Sequence, residues 1–283
     1  MAPPTYNDLG KSAKDLFNKV YAHGFIKVDA TTKSNGQSAV EFKTAASHNL
    51  TSQKLAGNLD IKYKVPQYGL TLTEKWNTEN VLGTVVEVKD QFAKGVKVTL
   101  DTSYNPNSAK RSGVLKTEWA SDRAKVNADV TLVAGPVLNL AAVFAQNNWL
   151  IGGQGKFDLS TNELKSTSFA AGYDHPEYTL HTFANDANEF GASWYHKVDK
   201  NVELGAQLGW TVGDHATRFG LATKYRLSDD ISLRGKVDNK STVALSSTHN
   251  LSDALKLTFS TQFNLVNTPD TTNKFGVGLE YTP

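Results

Sequence analysis

At 283 residues, with 20% charged side chains and a formal net charge of +2, the chain has neither the basic excess of a nucleic-acid binder nor the acidity of a disordered tail. The absence of Cys excludes disulfide scaffolds, thiolate metal sites and Cys nucleophiles. No apolar run of about 18 residues occurs, which excludes transmembrane helices, but a mean hydropathy of -0.40 suits both a soluble β protein and a barrel around a watery lumen.

The first residues carry Pro3, Pro4, Asp8 and Asp15. They read as neither a secretory signal nor an acid-poor transit peptide. Within the segment 1–24, Leu9, Ala13, Leu16 and Val20 fall on one helical face with Phe17 beside it, and Lys11, Lys14, Asp15 and Asn18 lie elsewhere. This spacing predicts an amphipathic helix over about 6–20, with Asn7 as its cap. So short a helix needs a surface to pack on. The residues leave two open: the membrane surface, or the inside of a pore.

From Phe25 onward the period changes to two. Ile26, Val28 and Ala30 alternate with Lys27 and Asp29; Leu59, Ile61 and Tyr63 alternate with Asp60 and Lys62. Later runs repeat the pattern at Ala124–Leu132, Val202–Val212 and Lys274–Tyr281. Each is about ten residues long, the length of a tilted strand crossing a bilayer. Polar breaks rich in Asn, Asp, Ser, Thr and Gly separate them, at Thr31–Gly36, Ser160–Glu163, Asp186–Asn188, Ser228–Asp230 and Thr268–Asn273. The spacing predicts a transmembrane β-barrel over residues 25–283 with about 18 or 19 strands. A soluble sandwich also alternates. It would not carry so many full charges on one face, nor end its apolar face in Tyr63, Trp76, Tyr104, Trp119, Trp149, Trp194 and Tyr281, as interface girdles do.

In a barrel the chemistry lies in the lining field. Alternation places Lys62, Lys97, Lys116, Arg218 and Lys236 inward among cations that outnumber the inward anions; Lys89 falls in a turn. Lys11, Lys14 and Lys19 add further positive charge from the helix, against Asp8 and Asp15. Such a lumen favours anions. Glu74 is the exception on the other face, since it shares the lipid side with Leu70, Leu72 and Trp76. A charge there costs a few kcal/mol unless it is protonated, paired or hydrated, and intramembrane ionisable groups are usually functional; a bulge turning it inward is the structural alternative. Gly152-Gly-Gln-Gly-Lys156 has the composition of a phosphate loop, but no helix follows it, and small residues in a barrel wall explain it better. The His residues show no ligand spacing, so no metal site is expected, and no catalytic cluster is visible.

The N-terminal Pro3-Pro-Thr-Tyr-x-Asp-Leu-Gly-Lys11 run, Tyr68-Gly-Leu-Thr-Leu-Thr-Glu-Lys-Trp-Asn77 with Leu82-Gly-Thr84, and the stretch Tyr225–Leu245 with Lys236-Val-Asp-Asn239 resemble the eukaryotic mitochondrial porins, the voltage-dependent anion channel family, over essentially the whole chain. Ser228 stands where that family's C-terminal signature has Asp. The resemblance implies an all-β membrane barrel of 19 strands, antiparallel except for parallel closure of the first and last, with the helix inside the pore. It implies a non-enzymatic, voltage-gated, weakly anion-selective pore for metabolites, nucleotides and small ions in the mitochondrial outer membrane. It further implies nucleotide contacts at Lys11 and Lys19, and dinucleotide contacts at Thr242, Val243, Ala244 and Ser260 through Asn264, with Ala244 standing where the family has Gly and Asn264 where it has Asp. Low-affinity ATP or NADH binding follows from those contacts, without a resident cofactor. Glu74 matches a family position tied to gating, oligomer contacts and partners such as hexokinase and apoptosis regulators. The last strand fits the family's sorting pattern as Lys274, Gly276, Leu279 and Tyr281, and the glycine-rich hinge of relatives is reduced to Gly24. Two other readings differ in class: a polypeptide-conducting mitochondrial barrel, expected to have a longer N-terminal extension and an acidic lining, and a soluble lipid- or ligand-binding barrel.

Overall fold

The computed structural model describes residues 2–34, 39–133, 135–214, 217–266 and 273–283. After a 3-10 turn at Tyr6–Asp8 comes one α-helix, α1 (Lys11–Asn18). The first strands are β1 (Phe25–Lys33), β2 (Val40–Asn49), β3 (Leu55–Val65), β4 (Leu70–Asn77), β5 (Leu82–Lys89) and β6 (Val96–Asn105). Then follow β7 (Lys110–Ala120), β8 (Ala124–Thr131), β9 (Val137–Gln146), β10 (Trp149–Asp158), β11 (Glu163–Asp174), β12 (Tyr178–Asn185) and β13 (Glu189–Lys197). The chain ends with β14 (Val202–Thr211), β15 (Arg218–Arg226), β16 (Ile231–Asp238), β17 (Thr242–Ser252), β18 (Leu255–Asn264) and β19 (Lys274–Tyr281). Among the described residues, no helix is long and apolar enough to cross a membrane.

These strands form one 19-stranded sheet in which each pairs antiparallel with its sequence neighbours, and β1 closes onto β19. An up-and-down meander with an odd number of strands must close in parallel. It does so with Ile26 opposite Val277 and Val28 opposite Leu279. Closure leaves no strand edge, as lipid demands. Tight links hold the register: β9 and β10 are joined by Asn147 and Asn148 alone, with Asn147 at φ 52, a conformation Asn tolerates better than most residues. The breaks expected at Thr31–Gly36 and Thr268–Asn273 lie partly or mostly outside the described residues, and Thr31–Lys33 end β1.

The helix is shorter than the expected 6–20, and Asn7 does not cap it. Asn7 belongs to the 3-10 turn; Gly10, at φ +66, breaks the chain direction and stands at the N-cap of α1 without a side-chain cap bond. A Cβ at Gly10 would also lie 2.7 Å from the His181 ring. A left-handed glycine inside an apolar repeat ends the helical run that periodicity alone extends.

The core is not inside the wall. Among the described residues the buried apolar side chains are Leu9, Ala13, Leu16, Phe17 and Ala22 on one side and Val143, Ala170, Ala222 and Ala244 on the other. The first five belong to the N-terminal segment and the rest to the face of the sheet beneath it. Leu9 packs on Val143 and Ala170 with Tyr6, Leu150 and Phe183; Leu16 and Phe17 pack on Ala222 with Tyr195. Burying one such Leu or Phe contributes about 1.5–3 kcal/mol relative to exposure. The wall is thinned to admit them: a Cβ on Gly152 would stand 3.1 Å from Leu9, on Gly205 2.8 Å from Leu16, and on Gly220 3.1 Å from Phe17. Gly152 therefore serves as a seat for the N-terminal segment.

Candidate functional site

Seating the helix on Val143, Ala170 and Ala222 defines which face is the lumen, and strand registers carry that assignment around the barrel. The opposite face bears the exposed apolar side chains, among them Ile151, Phe169 and Leu221, with the expected girdle of Tyr63, Trp76, Tyr104, Trp119, Trp149, Trp194 and Tyr281, each more than a third exposed. Trp149 packs edge-on against Tyr173 at 5.0 Å, and Trp194 stacks on His196 at 5.7 Å.

The register places Lys62, Lys97, Lys116, Arg218 and Lys236 on the lumen face. Their surroundings differ. Lys116 pairs with Asp101 at 2.9 Å, and Glu118 is shared by Lys97 at 3.3 Å and Lys125 at 3.1 Å. Arg218 is paired with Glu189, and Lys224 with Glu203 at 2.6 Å. No such pair engages Lys62, Lys64 or Lys75 among the described residues. Lys89 is a correction to the sequence reading: β5 runs through it, placing it on the lumen face directly opposite Lys97 rather than in a turn. Lys33, Lys64, Arg226, Asp158 and Asp174 also face inward at strand ends that alternation alone truncates. With them counted, Lys and Arg still outnumber Asp and Glu on the lumen face.

On the helix, Lys11 pairs with Asp8 at 2.9 Å and Lys19 with Asp15 at 2.6 Å, both lysine side chains more than half exposed. The Thr5 hydroxyl and the Lys11 ammonium hold the Asp8 carboxyl below its ordinary value. Lys14 donates to the Asn7 carbonyl. The exit of the helix is more crowded. Lys236 Nζ donates to the Phe17 carbonyl at 2.7 Å and stands 4.4 Å over the Tyr21 ring; Arg234 donates to the Asp15 carbonyl.

The positions that the resemblance associates with dinucleotide lie at this exit. Ala244 and Ser260 are buried, Ser260 Oγ accepts a bond from Ala22 N at 3.0 Å, and Ser246 Oγ donates to the Val20 carbonyl at 3.0 Å. Thr242 faces inward near the turn, Val243 faces outward, and Asn264 donates to the Lys240 carbonyl. The sorting pattern divides by face, with Lys274 and Gly276 inward and Leu279 and Tyr281 outward. Gly276 has a packing reason to be glycine, since a Cβ would lie 1.8 Å from the Ala22 carbonyl oxygen.

Glu74 faces lipid without a bulge, between Leu72 and Trp76 on β4. The Thr84 hydroxyl of β5 donates to its carboxylate at 2.8 Å, and Thr102 of β6 donates to the Thr84 carbonyl at 3.1 Å. The sequence pattern located Glu74 but not this polar row beside it. The described residues hold no group of His, Asp and Glu arranged for a metal.

Sequence reading also passed over His23. Its two ring nitrogens and the Tyr21 hydroxyl are buried and have no hydrogen-bond partner among the described residues, and the rings lie 5.1 Å apart. Burial, together with Lys236 of β16, Lys27 of β1 and Lys274 of β19, pushes the imidazole down to about 4, while burial pushes the Tyr21 phenol up to about 12.

The family model described as "Eukaryotic porin" matches residues 2–276. A "probable voltage-dependent anion-selective channel" of Caenorhabditis elegans is 58% identical over 100% of this chain and 99% of its own. A "non-selective voltage-gated ion channel VDAC2" of Meleagris gallopavo is 44% identical, covering 98% of this chain and 94% of its own. In fold, the chain is similar to a triple mutant of the Rhodopseudomonas blastica porin, with a TM-score of 0.52 at 10% identity, covering 92% of this chain and 98% of that one.

Two predictions follow from the geometry. Glu74→Gln removes the charge facing lipid and keeps an oxygen for Thr84 to donate to, so thermal unfolding in the same lipid should occur at an equal or higher temperature; marked destabilisation would show the carboxylate to be ion-paired. The second concerns acid. A neutral His23 is required in the seated exit, whereas a solvated His23 takes up a proton below its ordinary 6.5. The seat therefore weakens as pH falls from about 6.5 toward 4, because only the unseated state binds the proton over that range. The protection factors of the Ala22 and Phe25 amides, each taken against the intrinsic exchange rate at the same pH, should fall on acidification, and His23→Phe should remove that fall.

Proposed function

Because this chain belongs to the eukaryotic porin family, we propose that it is a voltage-gated, weakly anion-selective diffusion pore for metabolites, nucleotides and small ions across the mitochondrial outer membrane. The observation that carries this reading is the lumen itself: a closed wall whose inward face holds more cations than anions, with an amphipathic helix seated on it. A watery channel of this kind discriminates by its summed field rather than by a fitted site. The cationic surplus raises the local concentration of anions. The many inward carboxylates, several bonded to the same lysines, keep the discrimination small. The names of the relatives, one anion-selective and others non-selective, agree with a weak preference.

Within this pore Lys62, Lys97, Lys116 and Arg218 supply lining field, and Lys11, Lys14 and Lys19 supply it from the helix. Lys11 and Lys19 are the proposed nucleotide contacts, being exposed to the lumen. Thr242 and Asn264 are the members of the dinucleotide set that stand nearest the rim; Ala244 and Ser260 can serve only if the Val20–Ala22 segment lifts. Glu74 is proposed as the lipid-facing gating and oligomer-contact position, where hexokinase and apoptosis regulators would couple. Lys274, Gly276, Leu279 and Tyr281 are proposed as the sorting signal. A polypeptide-conducting barrel is disfavoured by the cationic lining.

The test is electrical. Purified protein in a planar bilayer under a potassium chloride gradient should give a reversal potential favouring chloride. Lys62→Glu, at a position with no ion pair among the described residues, should reduce that preference. Lys89→Glu should now act in the same direction as Lys62→Glu. A cation-selective wild type would sink the proposal.

A further inference from the structure

The last carbonyls of a helix have no partners within it and must find them elsewhere. At the exit of α1 the Asp15 carbonyl accepts from Lys19 N at 3.0 Å, and further partners come from the wall, in strand order. Arg234 of β16 donates to the Asp15 carbonyl at 3.3 Å and Lys236 of β16 to the Phe17 carbonyl at 2.7 Å. Ser246 of β17 donates to the Val20 carbonyl, and Ser260 of β18 accepts from Ala22 N. Gly24 N donates to the Phe275 carbonyl of β19 at 2.9 Å. Each strand from β16 to β19 thus grips the chain in turn. Val20 sits at φ 75 in the middle of this row, a left-handed conformation that a β-branched residue adopts only when its surroundings impose it.

Lys236, like Arg234, differs from the ion-paired lining cations. Its ammonium is spent on a helix carbonyl and on the face of Tyr21 at 4.4 Å, where the aromatic quadrupole and the negative end of the helix both favour a cation. We propose that Lys236 is the positioning residue of the gate: with Ser246 and Ser260 it latches the helix exit to the wall, and so sets the voltage of closure. This rests on the pore reading above, since a gate presupposes a pore.

The consequence is read in the closure of the pore and in amide exchange at the helix exit. Lys236→Met keeps the stem that lies along the linker and deletes the charged donor. A hydrogen bond to a charged group is worth enough that the closing rate at a fixed voltage should rise on the order of tenfold. The half-closure voltage should fall with it, while the reversal potential should register only the lost lumen charge, as it does in Lys62→Met. Lys236→Arg, which retains a donor cation, should restore most of the wild-type gating. Ser246→Ala, which removes a neutral donor to Val20, should shift closure in the same direction by less.

The experiment is bilayer recording of wild type and these variants, together with amide exchange at Ala22 and Gly24 in detergent. Faster exchange and easier closure in Lys236→Met, reversed in Lys236→Arg and absent from Lys62→Met, support the latch. A lowered anion preference like that of Lys62→Met, with wild-type closure and exchange, overturns it and returns Lys236 to the lining field. If Lys236→Met does not fold, wild-type closure and exchange in Ser246→Ala overturn the latch, and a shift in both supports it. A wild type that conducts nothing defeats the pore reading, and exchange at Ala22 and Gly24 still decides whether Lys236 holds the exit.

Discussion

Every backbone donor and acceptor of a segment that crosses lipid must find its partner within the protein, because the bilayer core offers none. For strands this permits only a closed sheet. Most features of the molecule follow from meeting that demand with an odd number of strands. The first and last strands run in parallel, which brings the chain entering β1 beside the start of β19, and the linker from the helix crosses the inner side of that seam. Gly276 is tied to the same event, since the linker crosses so close to β19 that no side chain fits beneath the Ala22 carbonyl. Closure also fixes the meaning of alternation. A residue is either in lipid or in the lumen, and a one-residue slip would exchange the two everywhere.

The wall alone has no core, because its two faces look onto lipid and water. The packed interior is supplied by the N-terminal segment. Leu9, Leu16 and Phe17 would be exposed in a watery lumen, and the wall answers with small residues, Gly152, Ala170, Gly205, Gly220 and Ala222, where they land. Polar groups then finish the attachment. Lys236, Ser246 and Ser260 satisfy backbone atoms at the helix exit, and His23 is buried there among lysines as a neutral ring. The same contacts that stabilise the seated helix would have to break for the helix to leave the wall, which is why residues of the exit carry more weight than their number suggests.

Much of this was legible from the amino-acid order. Period two separated Lys62 and Lys97 from Ile61 and Val98 without ambiguity, and it left Glu74 visibly on the wrong side, because a charge among Leu72 and Trp76 violates the pattern. Strand ends were less legible. Lys89 follows Val88 as naturally into a turn as into one more pair, and only the hydrogen-bonded register opposite Lys97 decides. The length of the helix was also obscured, since Leu9 and Ala13 keep helical spacing across Gly10 although the backbone turns there. Long-range relations lie outside local pattern altogether. Nothing near Lys236 announces that its ammonium meets Phe17, more than two hundred residues earlier, nor does Gly152 show that it lies under Leu9.

The account stands on the helix lying against the inner wall, and contacts between methyl groups report that directly. Selectively methyl-labelled protein in lipid nanodiscs, observed by nuclear Overhauser spectroscopy, should show cross-peaks from Leu9 to Val143 and Ala170, and from Leu16 to Ala222. Leu9 and Leu16 should show none to lipid acyl chains, while Ile151 and Leu221 show them strongly. Cross-peaks from Leu9 and Leu16 to acyl chains, with none to Val143 or Ala222, would put the helix on the membrane surface and contradict the account.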